Sequence, residues 1–360
     1  MADYSVYGTP SADWIAFAPS MPAPPPGLTI EQLVELTNKG REATSAEEMI
    51  SQGLADAVTL QDHSIQSRDG GIIEARSYRP KSVSLDQKLP IYINLHGGGF
   101  LFGTLPSEDA ACSRIVHTLA SESYPITVLN VNYRHTPQHT FPTAWHDVED
   151  ALVWTHAHLD LLGADGSQLV IGGISAGGQL SASITLQQHL GIGPLTSLPR
   201  IRGQVLIIPC LVNPDTYDLQ RAKLASPEVS SYVTQKNAPV LDVARVRLFT
   251  GLLKLPESFD VKDRLLNPGN ADAEEVKGLP PSVFGIAGAD PLRDEGLFYA
   301  ELLAGQGVPT DVTVFRGVPH GFRRFGDKLS ASKAWDAVTA NGIRWCLSSP
   351  QAGQFTIKTD

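Results

Sequence analysis

Cysteine is scarce in this chain, which has only Cys112, Cys210 and Cys346 among 360 residues. Their spacing matches none of the paired patterns that hold zinc, and three cysteines cannot all be joined in disulfides within one chain. We therefore expect reduced thiols and no metal site. Reduced thiols are typical of proteins of the cytoplasm, so a cytoplasmic location is the corresponding expectation.

Long apolar runs and an excess of basic residues are also missing. No stretch approaches the ~18 apolar residues of a membrane span, and residues 1–14 lack the basic and apolar regions of a signal peptide. The chain has 28 Lys and Arg against 38 Asp and Glu, a formal net charge of -10. Because nucleic-acid-binding domains present basic surfaces, we expect no nucleic-acid partner, and we expect neither a signal peptide nor a membrane span.

Internal repeats are absent, and the one low-complexity tract is the proline-rich segment 22–26. From residue 57 onward, strand-like and helix-like segments alternate, an order typical of a mostly parallel sheet covered by helices on both faces. Eight strands are predicted near residues 58–65, 71–78, 91–95, 126–131, 168–172, 203–208, 282–287 and 311–316. Helices are predicted near residues 108–120, 142–160, 176–190, 293–305 and 329–347.

Two segments, residues 1–56 and 211–277, interrupt this alternation. Both have helical patterns, and both can reach the carboxyl edge of the predicted sheet. We therefore predict a helical cap made of these two segments. Residues 57–210 and 278–360 form the predicted catalytic core.

Ser175 lies in the pattern Gly-x-Ser-x-Gly at residues 173–177, after a strand-like apolar run and before a helix-compatible stretch. A serine at such a sharp strand-to-helix turn presents its hydroxyl outward, and the flanking glycines remove the Cβ atoms that would collide there. The pattern also occurs in glycine-rich turns without chemistry. Alone, it predicts a nucleophile but leaves an ordinary turn open.

A second glycine-rich motif, His-Gly-Gly-Gly at residues 96–99, follows another predicted strand. Acyl transfer develops an oxyanion on the attacked carbonyl, and backbone amides without side chains can approach that oxygen closely. The amides of Gly97, Gly98 and Ala176 are the predicted donors of this oxyanion hole. The sequence leaves open whether Gly99 replaces one of them. A phosphate loop is disfavoured because its Lys-Ser/Thr pair is absent.

A serine nucleophile also needs a base and a carboxylate, which hydrolases of this kind place in the order Ser, Asp or Glu, His. Asp290 follows a predicted buried strand at its carboxyl end, where open α/β sheets bind ligands, and is the predicted acid. Asp294 is an alternative, although its position in the first turn of a helix favours a structural role. His320 is the only histidine beyond the Asp290 segment and is the predicted base.

Three further histidines lie near these motifs. His96 is expected to orient the glycine loop rather than to transfer protons. His135 and His139 follow a predicted strand in a loop that could border the pocket, and a structural role is the favoured interpretation for both.

Apolar side chains near the motifs are candidates for a substrate pocket. Phe100, Leu101 and Phe102 directly follow the glycine motif. Trp14 and Phe17 of the N-terminal segment are further candidates if that segment covers the site. Any of these five could instead belong to the core.

Four separated motifs together resemble the hormone-sensitive-lipase-like family of α/β-hydrolases, over roughly residues 57–347. They are residues 96–99 with Gly103, residues 132–134 with 141–142, residues 173–178, and residues 290–294 with 320–322. The resemblance implies an α/β-hydrolase fold and a cofactor-independent serine hydrolase that cleaves carboxylic esters through an acyl-enzyme. Two differences, Ile174 where the family commonly has Asp and residues 136–138 in place of Ala-Pro-Glu, lie outside the predicted triad.

The expected partner is a small ester or acyl substrate, and a homodimer is left open. Two other functions also stay open at this point. One is a tailoring enzyme of natural products that hydrolyses a lactone or amide, transfers an acyl group, or acts as a lyase or cyclase. The other is a non-catalytic small-molecule receptor of the same fold, which the complete set of predicted catalytic residues disfavours.

Overall fold

A computed structural model describes residues 1–21 and 27–360, so the proline-rich segment 22–26 lies outside the described residues. The described chain forms one sheet of nine strands. The strands are β1 (Val58–Gln66), β2 (Ile72–Pro80), β3 (Leu89–Leu95), β4 (Thr127–Asn132), β5 (Ala164–Ile174), β6 (Gly203–Ile207), β7 (Ser282–Ala289), β8 (Thr310–Pro319) and β9 (Ile357–Thr359).

The strand order across the sheet is β1-β2-β4-β3-β5-β6-β7-β8-β9. Strand β2 pairs antiparallel with both β1 and β4, and every other pairing is parallel. Because parallel strands need long crossover connections, the helices between them cover both faces of the sheet. The mostly parallel sheet predicted from the alternation, covered by helices on both faces, is confirmed.

The helices of the described residues are α1 (Ala12–Phe17), α2 (Ile30–Ser51), α3 (Leu54–Ala57), α4 (Leu105–Ser121), α5 (Thr143–Ala157), α6 (Leu159–Leu162), α7 (Ala176–His189), α8 (Asp218–Arg221), α9 (Ser231–Thr234), α10 (Val243–Leu252), α11 (Ala273–Val276), α12 (Arg293–Gly305) and α13 (Ala331–Leu347). Short 3-10 helices cover Ser5–Gly8, Ala18–Ser20, Pro194–Ser197, Pro214–Thr216, Pro227–Val229, Pro268–Asn270 and Phe322–Lys328. None of the described helices combines the length and the apolar character that crossing a membrane requires.

Alternate residues of the central strands pack into different layers, as expected for a sheet buried on both faces. Tyr92 and Val170 join the core beneath α4 and α13. Ile91, Ile93 and Ile171 join the core beneath α5 and α7 on the opposite face. The strands of the sheet centre are therefore rigidly held, and they fix the positions of the loops at their carboxyl ends.

The sheet has one strand more than the eight predicted. Strand β9 contains only three residues and pairs in parallel with β8, with Val312 opposite Ile357. A three-residue segment with two exposed side chains has too little apolar periodicity to be recognised from sequence. The tertiary pairing with β8, rather than local preference, makes it a strand.

Helix α2, from the N-terminal segment, packs on α4 of the core. Its Ser45 hydroxyl accepts a hydrogen bond from the Ala110 amide at 3.0 Å, and its Glu48 forms an ion pair with Arg114 at 2.7 Å. Helix α10 lies in the interval between β6 and β7. Each of these two helices lines the cavity described below.

Candidate active site

Ser175 occupies the turn between β5 and α7, with φ 56° and ψ -113°. A positive φ is costly for a residue with a Cβ, and such strain persists only where the surroundings hold the backbone. The Ser175 amide donates to the Ile207 carbonyl at 2.9 Å, and the Ser175 carbonyl accepts from the Cys210 amide at 3.2 Å. These backbone bonds to the end of β6 and to the loop after it hold the serine in place, and Ser175 lines the cavity described below.

The flanking glycines are required by close approach of backbone to backbone. A Cβ on Gly177 would lie 1.9 Å from the Leu95 carbonyl oxygen, and one on Gly173 would lie 2.4 Å from the same atom. Both distances are far below van der Waals contact, and the obstacle is a buried strand rather than a flexible side chain. The pattern at residues 173–177 therefore has a steric cause, as predicted.

The structure brings Ser175, His320 and Asp290 together from the ends of three different strands. The Ser175 Oγ lies 3.0 Å from His320 Nε2, and His320 Nδ1 lies 2.6 Å from Asp290 Oδ2. Asp290 Oδ1 also accepts the Leu292 amide at 2.9 Å, which fixes the carboxylate plane. This is the spacing at which a histidine, held by a carboxylate, can take a proton from a serine hydroxyl.

Asp294, the alternative acid, is directed away from His320. One of its carboxylate oxygens accepts the Ser231 amide at 2.6 Å, and the other accepts from Arg293 Nε at 2.9 Å. Both Asp294 and Arg293 are fully buried. Asp294 thus forms a structural ion pair with Arg293 within α12 and a hydrogen bond that ties α12 to the first residue of α9.

The predicted oxyanion donors border the cavity onto which Ser175 opens. Gly97, Gly98 and Ala176 all line the same cavity as Ser175. Within the described residues their amides donate no hydrogen bond, and the same is true of Gly99. Because Ala176 is the first residue of α7, the positive end of the helix dipole also points at this position. The geometry supplies free donors without choosing between Gly98 and Gly99.

Gly98 gives the loop its shape. Its φ is 142°, and a Cβ there would lie 2.2 Å from the Phe102 carbonyl oxygen. Its own carbonyl accepts the amides of Leu101 and Phe102, both at 3.1 Å. The loop therefore turns tightly at Gly98 and needs glycine there for both conformation and space.

Replacing Gly98 by alanine is expected to lower kcat/KM roughly 10²- to 10³-fold, the effect of losing one oxyanion donor. The added Cβ must displace the loop, since backbone blocks it. Gly305→Ala at the end of α12 is the matched control, because a Cβ there meets nothing within 4 Å. Ester hydrolysis and far-ultraviolet circular dichroism of both variants provide the test. Equal activity of the two variants would contradict the assignment of this loop.

His96 supports the loop from beneath. Its ring stacks on Tyr133 with a centroid distance of 4.4 Å, and the Tyr133 hydroxyl donates to the His96 carbonyl at 2.7 Å. Burial lowers the pKa of His96 to about 4, and the nearby Arg41 guanidinium acts in the same direction. His96 is therefore neutral at physiological pH, which agrees with a positioning role rather than proton transfer.

Arg41 of helix α2 also holds the loop, and the motifs gave no indication of it. Its Nη1 donates to the Gly97 carbonyl at 3.0 Å, and its Nη2 pairs with Glu108 at 2.6 Å. Asn38, one helical turn earlier, accepts the Gly103 amide at 3.0 Å. The N-terminal segment is thus hydrogen-bonded to the glycine loop on both sides of its turn.

A cavity of about 540 Å³ opens at Ser175 and His320. Phe100 and Phe102 line it, whereas Leu101 does not. Trp14 and Phe17 also lie outside the lining, because they pack against Phe325 with ring centroids 5.9 and 4.8 Å apart. We refer to this space as the site cavity.

The remaining sequence candidates lie outside this chemistry. His135 is in edge-to-face contact with the His96 and Tyr133 rings, and burial lowers its pKa well below the usual value. His135 and His139 do not line the site cavity. All three cysteines are free, and burial raises the pKa of each thiol.

The parallel sheet, the strained serine turn and the Ser–His–Asp geometry are those of an α/β-hydrolase. A family model described as alpha/beta hydrolase fold matches residues 92–324. The chain belongs to this family, among its hormone-sensitive-lipase-like carboxylesterases.

Similar proteins include named esterases. Esterase LipI of Mycobacterium tuberculosis is 31% identical over 262 residues, which are 73% of this chain and 74% of LipI. The ethyl acetate hydrolase of Pseudomonas putida is 30% identical over 269 residues, covering 74% of this chain and 76% of that protein. Both similarities span most of each protein.

Solved structures agree over nearly the whole chain. An esterase of Pyrobaculum calidifontis has a TM-score of 0.72 and 28% identity, and covers 95% of this chain and 100% of that one. A vibralactone cyclase has a TM-score of 0.84 and 26% identity, with 96% of this chain and 97% of that chain covered.

Proposed function

We propose that this protein hydrolyses carboxylic esters with Ser175 as nucleophile, His320 as general base and acid, and Asp290 as the group that orients the histidine. The observation that supports it most is the pair of hydrogen bonds from Ser175 Oγ to His320 Nε2 and from His320 Nδ1 to Asp290 Oδ2, at 3.0 and 2.6 Å. The esterases among the similar proteins support the same activity.

In the acylation step, Ser175 Oγ attacks the ester carbonyl carbon while its proton passes to His320 Nε2. Asp290 stabilises the imidazolium that forms and keeps Nδ1 protonated. The amides of the glycine loop and of Ala176 bind the oxyanion of the tetrahedral intermediate, each contributing on the order of 3 kcal/mol to its stabilisation. The imidazolium then protonates the alcohol oxygen, which leaves, and an acyl-enzyme remains.

Deacylation repeats these steps with water. His320 takes a proton from water as its oxygen attacks the acyl carbon, and Ser175 Oγ receives that proton when the acid is released. No cofactor is required, because the chain provides nucleophile, base and oxyanion donors. The site cavity of about 540 Å³ has room for a small or medium acyl group, which is the expected substrate size.

Hydrolysis of 4-nitrophenyl esters from acetate to dodecanoate in H2(18)O tests this proposal. We expect turnover with short and medium acyl chains and one heavy oxygen in the acid product, because water cleaves the acyl-enzyme. The Ser175→Ala variant measures the background. Absence of turnover above that background on every ester would contradict the proposal.

We also propose that residues 1–56 and 211–277 form the cap that selects the substrate. Helix α2 of the first segment and helix α10 of the second both line the site cavity. The Phe249 ring of α10 stands against the glycine loop, with a centroid distance of 5.7 Å to the Phe102 ring. A Cβ on Gly99 would be only 2.3 Å from the Phe249 ring.

Phe249→Ala is expected to shift the preference toward longer acyl chains by about 10-fold in kcat/KM, since a pocket gains roughly this much per methylene it newly accommodates. Leu248→Ala is the matched control, because Leu248 is on the same helix and its side chain is exposed. The ratio of octanoate to acetate ester turnover is the measurement. An unchanged ratio in Phe249→Ala would contradict the proposal that α10 contributes to the substrate-binding surface.

A second candidate is cyclisation or acyl transfer, in which a hydroxyl group replaces water as the acceptor of the acyl group. It is favoured by one observation, the TM-score of 0.84 with a vibralactone cyclase against 0.72 with the Pyrobaculum esterase. The oxygen-labelling experiment separates the two functions. A hydrolysed product contains one heavy oxygen from water, whereas an acyl group passed to another hydroxyl contains none.

A further inference from the structure

The charged side chains around the site cavity are predominantly basic, although the protein as a whole is acidic. In the described lining, five arginines face three carboxylates, namely Arg41, Arg114, Arg245, Arg323 and Arg324 with Glu48, Glu108 and Asp336. The formal net charge of the whole chain is -10. The cavity therefore has a local excess of two positive charges among these side chains, opposite in sign to the net charge of the chain.

Three of the arginines have carboxylate partners. The ion pairs are Arg41 with Glu108 at 2.6 Å, Arg114 with Glu48 at 2.7 Å, and Arg323 with Asp336 at 2.8 Å. These three pairs use all three carboxylates of the lining. Within the described residues, Arg245 and Arg324 have no carboxylate partner, and the segment 22–26 contains no acidic residue.

Arg245 and Arg324 differ in what else they contact. Arg245 Nη1 donates to the Val240 carbonyl at 2.9 Å, so its side chain is held against its own segment. The Arg324 guanidinium has no hydrogen-bond acceptor among the described residues. Of the five donors on an arginine, all therefore remain available at Arg324.

Arg324 lies close to the proposed reacting groups. A Cβ built on Gly321, the residue after His320, would be 3.5 Å from Arg324 Nη2 and 3.8 Å from its Nε. Burial, together with the charges of Arg41 and Arg245, lowers the pKa of Arg324 to about 10. The guanidinium thus stays charged at neutral pH.

The Arg324 side chain is exposed and is part of the cavity lining, so a ligand in the site cavity can reach it. An arginine that stabilises a fold ordinarily binds carbonyl oxygens or a carboxylate. Arg324 has no such partner among the described residues. A ligand anion can therefore occupy its donors.

We propose that Arg324, with Arg245 beside it, binds a carboxylate group of the substrate, so that the preferred esters carry a free acid group. This inference rests on the proposed ester hydrolysis and narrows its substrate class. A planar guanidinium with free donors binds a carboxylate through two parallel hydrogen bonds. Because the guanidinium is already partly desolvated, the attraction is stronger than it would be on an open surface.

The test compares matched pairs of esters that differ only in charge. On the acyl side, the mono-4-nitrophenyl esters of adipic to sebacic acid are compared with their terminal carboxamides. On the alcohol side, 4-acetoxybenzoate is compared with 4-acetoxybenzamide. The measured quantity is the ratio of kcat/KM for the acid over the amide, in which the concentration of active enzyme cancels.

We expect the acid to be preferred in at least one series, and Arg324→Gln to lower that ratio about 10- to 100-fold, the effect of losing a charge-assisted hydrogen bond. Arg324→Lys, which keeps the charge but not the planar donors, should give an intermediate ratio. Arg247→Gln is the matched control, because Arg247 lies on α10, pairs with Asp215 and does not line the cavity. Its ratio should equal that of the wild type.

Two results would overturn the inference: no preference for the acid in either series, or an equal preference in the wild type and Arg324→Gln. Either result leaves the proposed ester hydrolysis standing if the ester bonds of the neutral, carboxamide-bearing substrates are still cleaved in a Ser175-dependent manner. Failure of the proposed function is different, because then neither member of a pair is hydrolysed above the Ser175→Ala background.

Discussion

Ser175→Ala is expected to abolish ester hydrolysis, with a loss of roughly 10⁶-fold in kcat, as is typical when the nucleophile of a serine hydrolase is removed. The hydroxyl contacts His320 Nε2, and no packing depends on it. The backbone bonds of Ser175 to Ile207 and Cys210 do not involve the side chain. Alanine can therefore occupy the strained turn with little further cost, and the fold should be retained.

Ser183→Ala provides the control for this prediction. Ser183 is buried on α7, the helix that begins directly after Ser175, and its hydroxyl donates to the Leu265 carbonyl at 2.7 Å. Its replacement removes a buried hydroxyl without touching the proposed triad, so turnover should remain near that of the wild type. Turnover near wild type in Ser175→Ala instead would show that Ser175 is not the nucleophile.

Asp290→Asn is expected to lower turnover by roughly 10⁴-fold. The carboxylate accepts a hydrogen bond from His320 Nδ1 and thereby leaves Nε2 free to take the serine proton. An asparagine amide can donate to Nδ1, which stabilises the tautomer with a proton on Nε2. That tautomer cannot act as a base toward Ser175. The kcat of the variant, measured after its fold is verified, tests this prediction.

Asp294→Asn is the matched control, since it makes the same chemical change four residues later in a fully buried carboxylate. The charge lost there leaves Arg293 without its ion-pair partner, so we expect a lower melting temperature. Turnover below that temperature should fall much less than in Asp290→Asn. A larger loss of turnover in Asp294→Asn would mean that Asp294 is the acid.

Sequence motifs could place the proposed reacting groups because each motif depends on local chain geometry. The serine turn needs glycines where β5 meets α7, and the glycine loop needs residues that tolerate a positive φ at Gly98. These requirements determine which residues occur at fixed positions within a few residues of each motif, so they can be recognised in the sequence. The order of Ser175, Asp290 and His320 along the chain then follows from the strand order of the sheet, and the geometry agrees with it.

Contacts between distant segments could not be predicted in this way. Arg41 meets the Gly97 carbonyl 56 residues away, and nothing in helix α2 signals a partner at that distance. Arg324 follows the histidine motif in sequence, but its lack of a carboxylate partner depends on how Glu48, Glu108 and Asp336 are already paired. Only the folded cavity shows that the Arg324 guanidinium has no carboxylate partner among its neighbours.

Aromatic side chains were the weakest guide to the cavity. Trp14 and Phe17 bury their rings against Phe325, whereas the Phe249 ring packs against Phe102 beside the glycine loop. Composition alone gives the same expectation for all of them, because a buried aromatic ring is equally suited to a core and to a pocket. The direction in which each helix faces decides between the two.

Covalent labelling tests the central claim most directly. The protein is treated with a fluorophosphonate, its intact mass is measured, and the modified peptide is sequenced by tandem mass spectrometry. We predict one adduct per chain, on Ser175, which is absent in Ser175→Ala and strongly slowed in Asp290→Asn. An unlabelled protein that is folded, or an adduct on another residue, would contradict the proposal that Ser175 is the nucleophile.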